Sequence, residues 1–160
     1  MQDFLQRLQD SDLGYWVSTA PTIWAYPTIL TLHTIGLAMV VGPNAVLDLR
    51  LLGAGSRVPI SELRPVFRIM VVGFLINAST GIALFISEAT EKGVAWIFYV
   101  KLTIIAVALL VAARLRRQVF TQGPASRTDP VSSGVKMLAV ASLALWFGAI
   151  TAGRLMAYVK

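Results

Sequence analysis

Four apolar stretches of about twenty residues constrain this chain more than any other feature of its sequence. A helix rises about 1.5 Å per residue, so a run of that length crosses a hydrocarbon core about 30 Å thick. The runs cover about 22–42, with a helical continuation to about 52, then 64–87, 94–114 and 135–158. Composition agrees with a membrane protein. Of 160 residues, 56% are hydrophobic and only 14% charged, against about 25% charged in a soluble domain. Mean hydropathy is +0.71. The expected fold class is all-α. It is an integral membrane four-helix bundle forming one domain over residues 1–160, with a short N-terminal interfacial helix.

Residues 2–12 suit an amphipathic helix. Phe4, Leu5 and Leu8 share one face, and Asp3, Gln6, Arg7, Gln9 and Asp10 the other. That pattern fits a helix lying in the membrane interface and equally one packed on the end of the bundle. Ser11, Asp12 and Gly14 break it. The first span is expected to begin near Pro21–Thr22, with Pro27 one turn inside as a source of a kink. Gly42-Pro43-Asn44 should interrupt it before the continuation, which Gly53 and Gly55 close. Connections are short except for the Pro-, Gly- and Ser-rich stretch 121–134, so sequential spans should be antiparallel neighbours.

The net charge of +6 resolves once the charges are placed. Arg50, Arg57, Arg64 and Arg68 flank the first connection between spans. Arg114, Arg116, Arg117, Arg127 and Lys136 flank the third. These two connections face one side. The other side carries Asp3, Asp10, Asp12, Glu88 and Glu91 against Arg7, Lys92, Arg154 and Lys160. By the positive-inside rule both basic connections are cytoplasmic. Both termini are then periplasmic, in a bacterial inner membrane. No basic n-region followed by an apolar core marks a signal peptide. The loop arginines lack interleaved aromatics, so nucleic acid is not the expected partner. The bilayer is. The apolar outside of so small a bundle suits a homo-oligomer or docking in a larger membrane complex equally well.

Chemistry narrows to a few residues. There is no cysteine, which rules out disulfides, thiolate metal sites and covalent c-type haem. Met39, Met70, Met137 and Met156 are scattered, unlike a copper site. No phosphate loop or nucleophile–base pair is visible. What remains is the only histidine, His33, in the first span. An ionisable group at membrane depth is a functional hypothesis by default. Counted from the span ends, His33 lies near the midplane. Lys101, Asn77, Ser79, Thr80, Thr151 and Arg154 all fall in the same outer half of the bundle, and the inner half is expected to be almost purely aliphatic.

An imidazole below two cations suits haem b, with His33 on the iron and Lys101 and Arg154 at the propionates. Tyr26, two turns before His33, adds a hydrogen bond or stacking. Gly36 lets a flat macrocycle approach the helix, and Asn77 lines the same level. With one histidine, the iron is five-coordinate, takes a methionine such as Met156, or is shared with another copy. Simpler roles also fit: His33 and Asn77 bonded across a helix interface, Lys101 snorkelling outward, and Arg154 anchoring at the interface.

The pattern W-x-x-P-x-x-x-x-x-H-x-x-G-x-x-x-x-x-G, carried by Trp24, Pro27, His33, Gly36 and Gly42, is followed by DLRLLG at Asp48–Gly53. With Gly73-Phe74, Thr80-Gly81 and Lys101 in FYVKL, it resembles a family of bacterial four-helix membrane proteins built on a domain of unknown function. That resemblance implies topology. More distantly the chain resembles the membrane domain of copper resistance protein D and the oxygen-independent protoporphyrinogen oxidase of bacteria. Both have a histidine and glycine in an early span and a lysine in a later one. The oxidase resemblance implies functional roles for His33 and Lys101 and a haem b site. The function expected is a small redox or electron-transfer subunit binding haem b through His33. The alternatives are a non-catalytic accessory subunit of a membrane complex and an enzyme acting on porphyrinogens.

Overall fold

The computed structural model describes residues 1–55, 58–120 and 131–158. Seven helices follow one another: α1 (Gln2–Gln9), α2 (Asp12–Thr19), α3 (Tyr26–Leu51), α4 (Val66–Ser87), α5 (Ala89–Lys92), α6 (Trp96–Phe120) and α7 (Ser133–Leu155), with a 3-10 turn at Ile60–Leu63 between α3 and α4. No strand occurs among the described residues. Helices α3, α4, α6 and α7 have 22–26 residues and are apolar enough to cross a membrane. The protein is therefore an all-α bundle of four membrane-spanning helices. Its outside is apolar, with Leu75, Leu110 and Phe147 all exposed, as befits a bundle whose surrounding solvent is hydrocarbon.

Local chemistry moves several of the expected boundaries. The N-terminal segment forms two helices, not one. Ser11 ends the first and caps the second, its hydroxyl accepting from Gly14 N at 3.3 Å. Gly14 is needed there, because a Cβ would lie 2.2 Å from Gln9 O. Helix α1 sits on the end of the bundle, with Leu5 buried and Gln9 Oε1 accepting from Thr90 N and Oγ1 at 3.0 and 2.7 Å. Phe4, Tyr15 and Trp16 remain exposed beside it.

Helix α3 starts at Tyr26, later than expected, so Pro27 falls in the first turn. A proline costs nothing there, since that N–H has no helical acceptor. Nor do Pro43 and its neighbours interrupt the span as expected: α3 runs through them to Leu51. In a membrane the helix is the only economical way to pair the surrounding backbone, so proline is tolerated mid-span. The turn beyond Leu52 uses left-handed backbone at Gly53 (φ 110°) and Gly55 (φ 61°). Helix α6 extends past the expected 114 to Phe120. Ser132 caps α7, accepting from Val135 N at 3.4 Å.

The spans pack as two antiparallel hairpins, α3–α4 and α6–α7, joined mainly by α3 against α7. Their register is legible in contacts. On α3 and α4, His33 meets Asn77 and Thr80, while Leu47 and Leu51 cluster with Phe67 and Met70. The other pair is aligned by Lys101 against Gly153 and by Ala112 and Leu115 clustered with Ala139. Across the hairpins, α4 and α6 meet through Phe67–Phe120 at one end and Phe85–Phe98 at the other, with ring centroids 5.3 and 5.0 Å apart. This topology puts Arg50, Arg64, Arg68, Arg114, Arg116, Arg117 and Lys136 at a single end, called the basic end below. Arg57, Arg127 and Lys160 lie outside the described residues.

Helices α3 and α4 approach closely at Gly36 and Gly73. A Cβ on Gly36 would lie 2.7 Å from Asn77 N, and one on Gly73 would lie 2.9 Å from Gly36 O. Small residues at such crossings let backbones touch. Gly36→Ala should destabilise the bundle by about 1–3 kcal/mol, the cost of overpacking a tight contact. Gly42, on the same helix, is different: a methyl added there would meet nothing within 4 Å. Gly42→Ala should therefore stabilise the bundle by about 0.5–1 kcal/mol through helix propensity. Unfolding of both variants in detergent, followed by circular dichroism, checks the contrast in sign.

Candidate functional site

Between the two hairpins lies a cavity of about 290 Å³. All four spans contribute to its wall. His33 comes from α3, Asn77 and Phe74 from α4, Lys101 from α6, and Trp146 and Arg154 from α7. Four of the six residues singled out from the sequence thus share one space. They do so because antiparallel neighbours bring equal depths together.

The imidazole is held from α4. Its Nδ1 lies 3.0 Å from Asn77 O and 3.1 Å from Thr80 Oγ1. A carbonyl only accepts, so Nδ1 carries the proton. Thr80 spends its own proton on Ile76 O at 2.6 Å, leaving its oxygen as a second acceptor. In return Asn77 Nδ2 donates to His33 O at 2.8 Å. In the neutral ring, a proton fixed on Nδ1 leaves Nε2 with its lone pair. Nε2 makes no hydrogen bond among the described residues. Gly81 provides room for the ring, since a Cβ there would sit 3.0 Å from His33 Cε1.

The two cations differ. The Lys101 stem lies along Gly153, where an added Cβ would be 3.4 Å from Nζ. Its ammonium has no hydrogen bond or ion pair among the described residues. Arg154 is exposed at the end of α7, donates from Nη2 to Tyr158 Oη at 3.3 Å and lies 5.6 Å from that ring's centroid. Leu37, Val40, Phe74, Ile105 and Trp146 make the remaining wall apolar.

Two expected contributors stand elsewhere. Gly36 does not open space for a macrocycle, because the backbone of α4 fills that space. Tyr26, exposed at the first residue of α3, does not line the cavity. Nor does Met156, which follows α7. Among the described residues no three His, Cys, Asp or Glu side chains gather as a metal cluster.

The sequence reading missed a second polar level nearer the basic end. Asn44, Asp48 and Ser142 are fully buried where α3 meets α7. Asn44 Nδ2 donates to Asp48 Oδ2 at 2.6 Å and to Ser142 Oγ at 2.8 Å. The inner half is therefore not purely aliphatic, and Asp48 does not pair with Arg50, whose Nε donates to Val58 O at 2.7 Å. The i, i+4 spacing of Asn44 and Asp48 in an apolar run was the available signal.

Comparison with family models, curated proteins and solved structures finds no match. The site must be read from its own geometry. Asn77→Ala removes the bond to His33 O and should cost about 0.6–1.7 kcal/mol, from the average to the largest value for hydrogen bonds between membrane helices. Equilibrium unfolding of the variant in detergent micelles measures that loss.

Proposed function

We propose that the protein binds haem b through His33 and serves as a small redox or electron-transfer subunit. The observation that carries this reading is the Nε2 lone pair of a cavity-lining imidazole, in a space that also holds the Lys101 ammonium, both without a partner among the described residues. A hydrogen bond fixing one ring nitrogen is what orients a ligating histidine. The donor set suits the group: one neutral imidazole for the iron, apolar walls for the ring, and Lys101 and Arg154 for two carboxylates. Lys101 contributes most, because Arg154 already engages Tyr158.

Size bears on how the group would sit. Small-molecule pockets span about 300–1,000 Å³, and this cavity of about 290 Å³ is at the bottom of that range. A porphyrin would extend beyond this open-sided space. Haem supplies one-electron redox chemistry when bound. The chain's own residues would orient His33 from α4, exclude water with Val40, Phe74 and Trp146, and neutralise carboxylates with Lys101.

The same hydrogen bonds favour a second reading, in which His33 only pins α3 to α4 in an accessory subunit. For either reading we place the protein in a bacterial inner membrane with the basic end in the cytoplasm and both termini periplasmic. That placement rests on the charge asymmetry between the two ends.

Spectroscopy separates the readings. Full-length protein purified from haem-replete cells should show a Soret band that shifts on reduction. His33→Ala should lose the band while keeping its helical circular dichroism, and Lys101→Met should bind haem several-fold more weakly. A folded wild type that stays colourless, even after titration with haemin, would overturn haem binding and leave the pinning role.

A further inference from the structure

Asp48 poses a problem that the His33 cavity does not address. Its side chain is 0% exposed. Oδ2 accepts from Asn44, but Oδ1 is buried with no hydrogen-bond partner among the described residues. No basic side chain among the described residues pairs with it. Apolar side chains close the space on both sides. Toward His33 stand Val40, Ala108 and Trp146, and toward the basic end Leu51, Phe67 and Leu115. Asp48 also occupies the last turn of α3, the end at which the helix dipole is negative. A bare carboxylate is doubly unfavourable there. Buried charges are paired, metal-bound or neutralised, and inside a membrane an ionisable side chain marks a functional site by default.

Two neighbours complete the picture. Ser142 Oγ, fully buried on α7, lies 2.8 Å from Asn44 Nδ2. A second, mostly apolar hollow of about 160 Å³ adjoins Asn44, with Trp146 in its wall, and is not lined by Asp48 or Ser142. Trp146 also lines the His33 cavity, and its Nε1 is buried without a partner. The arrangement is thus a buried polar cluster between two apolar layers, holding one carboxylate oxygen without a hydrogen-bond partner among the described residues. One carboxylate beside one hydroxyl oxygen, both held by the Asn44 amide NH2, suits a single positive charge. A divalent ion would want more carboxylates.

We propose that Asp48, with Asn44 and Ser142, forms a monovalent-cation site between α3 and α7, filled by a proton or by Na⁺. The site stands apart from the His33 cavity and does not depend on haem.

The test uses the full chain in detergent at pH 7.5. Thermal unfolding is measured in NaCl and in choline chloride at equal ionic strength, and infrared spectra are recorded in the carboxyl region. If Na⁺ fills the site, Tm rises and saturates with NaCl but not with choline. Asp48→Asn then loses the rise, and Ser142→Ala moves its midpoint to several-fold higher Na⁺. If a proton fills it, wild type shows a protonated-carboxyl C=O band independent of Na⁺. That band disappears in Asp48→Asn and shifts in Ser142→Ala. The wild-type measurements and the Ser142→Ala shift decide the matter even if Asp48→Asn does not fold. Wild type with neither a Na⁺-specific rise nor a carboxyl band would overturn the proposal, as would a response that both variants leave unchanged.

Discussion

The close crossing of α3 and α4 at Gly36 and Gly73 is the contact on which the rest of the bundle depends. Lipid tails are as apolar as leucine, so no hydrophobic force draws spans together, and packing with interhelical hydrogen bonds must do it. Two missing side chains let the backbones touch. Only at that separation can Asn77 reach His33 O while its own carbonyl receives the imidazole proton. The orientation of the histidine is therefore set by its partner helix. Its free nitrogen is a by-product of how tightly the other is held.

How much of this was legible in the sequence follows from what a sequence encodes. Span number is written in run length, and the spans were readable because a bilayer imposes one length on every helix. The gathering of His33, Asn77, Lys101 and Arg154 was readable because depth can be counted along antiparallel helices. Rotation about a helix axis cannot be counted that way. Helix α3 is apolar around nearly its whole circumference, so no stripe shows which side meets α7. The bond from Asn44 to Ser142, 98 residues away, is invisible without that angle. Gly36 fails for the same reason. A glycine announces a close approach, not what approaches. The prolines misled differently, since rules for water-exposed helices overrate their power to break a span that has no alternative hydrogen-bonding partner.

The bundle carries its polar groups at two levels with an apolar layer between them. Val40, Ala108, Trp146 and Ala149 form that layer, with His33 on one side and Asn44, Asp48 and Ser142 on the other. Interhelical hydrogen bonds in membranes contribute little each. Their value here lies in register: α3 bonds to α4 at one level and to α7 at the other, so sliding either neighbour breaks bonds that no water replaces.

Trp146 gives this architecture an optical consequence. It is 3% exposed, whereas Trp16, Trp24 and Trp96 are 42%, 69% and 62% exposed. Quenchers dissolved in water or lipid therefore reach three indoles and spare the fourth. The emission that survives them comes from the one ring that borders both cavities. A change in the occupancy of either space is thus written into the chain's own shielded fluorescence, without any label.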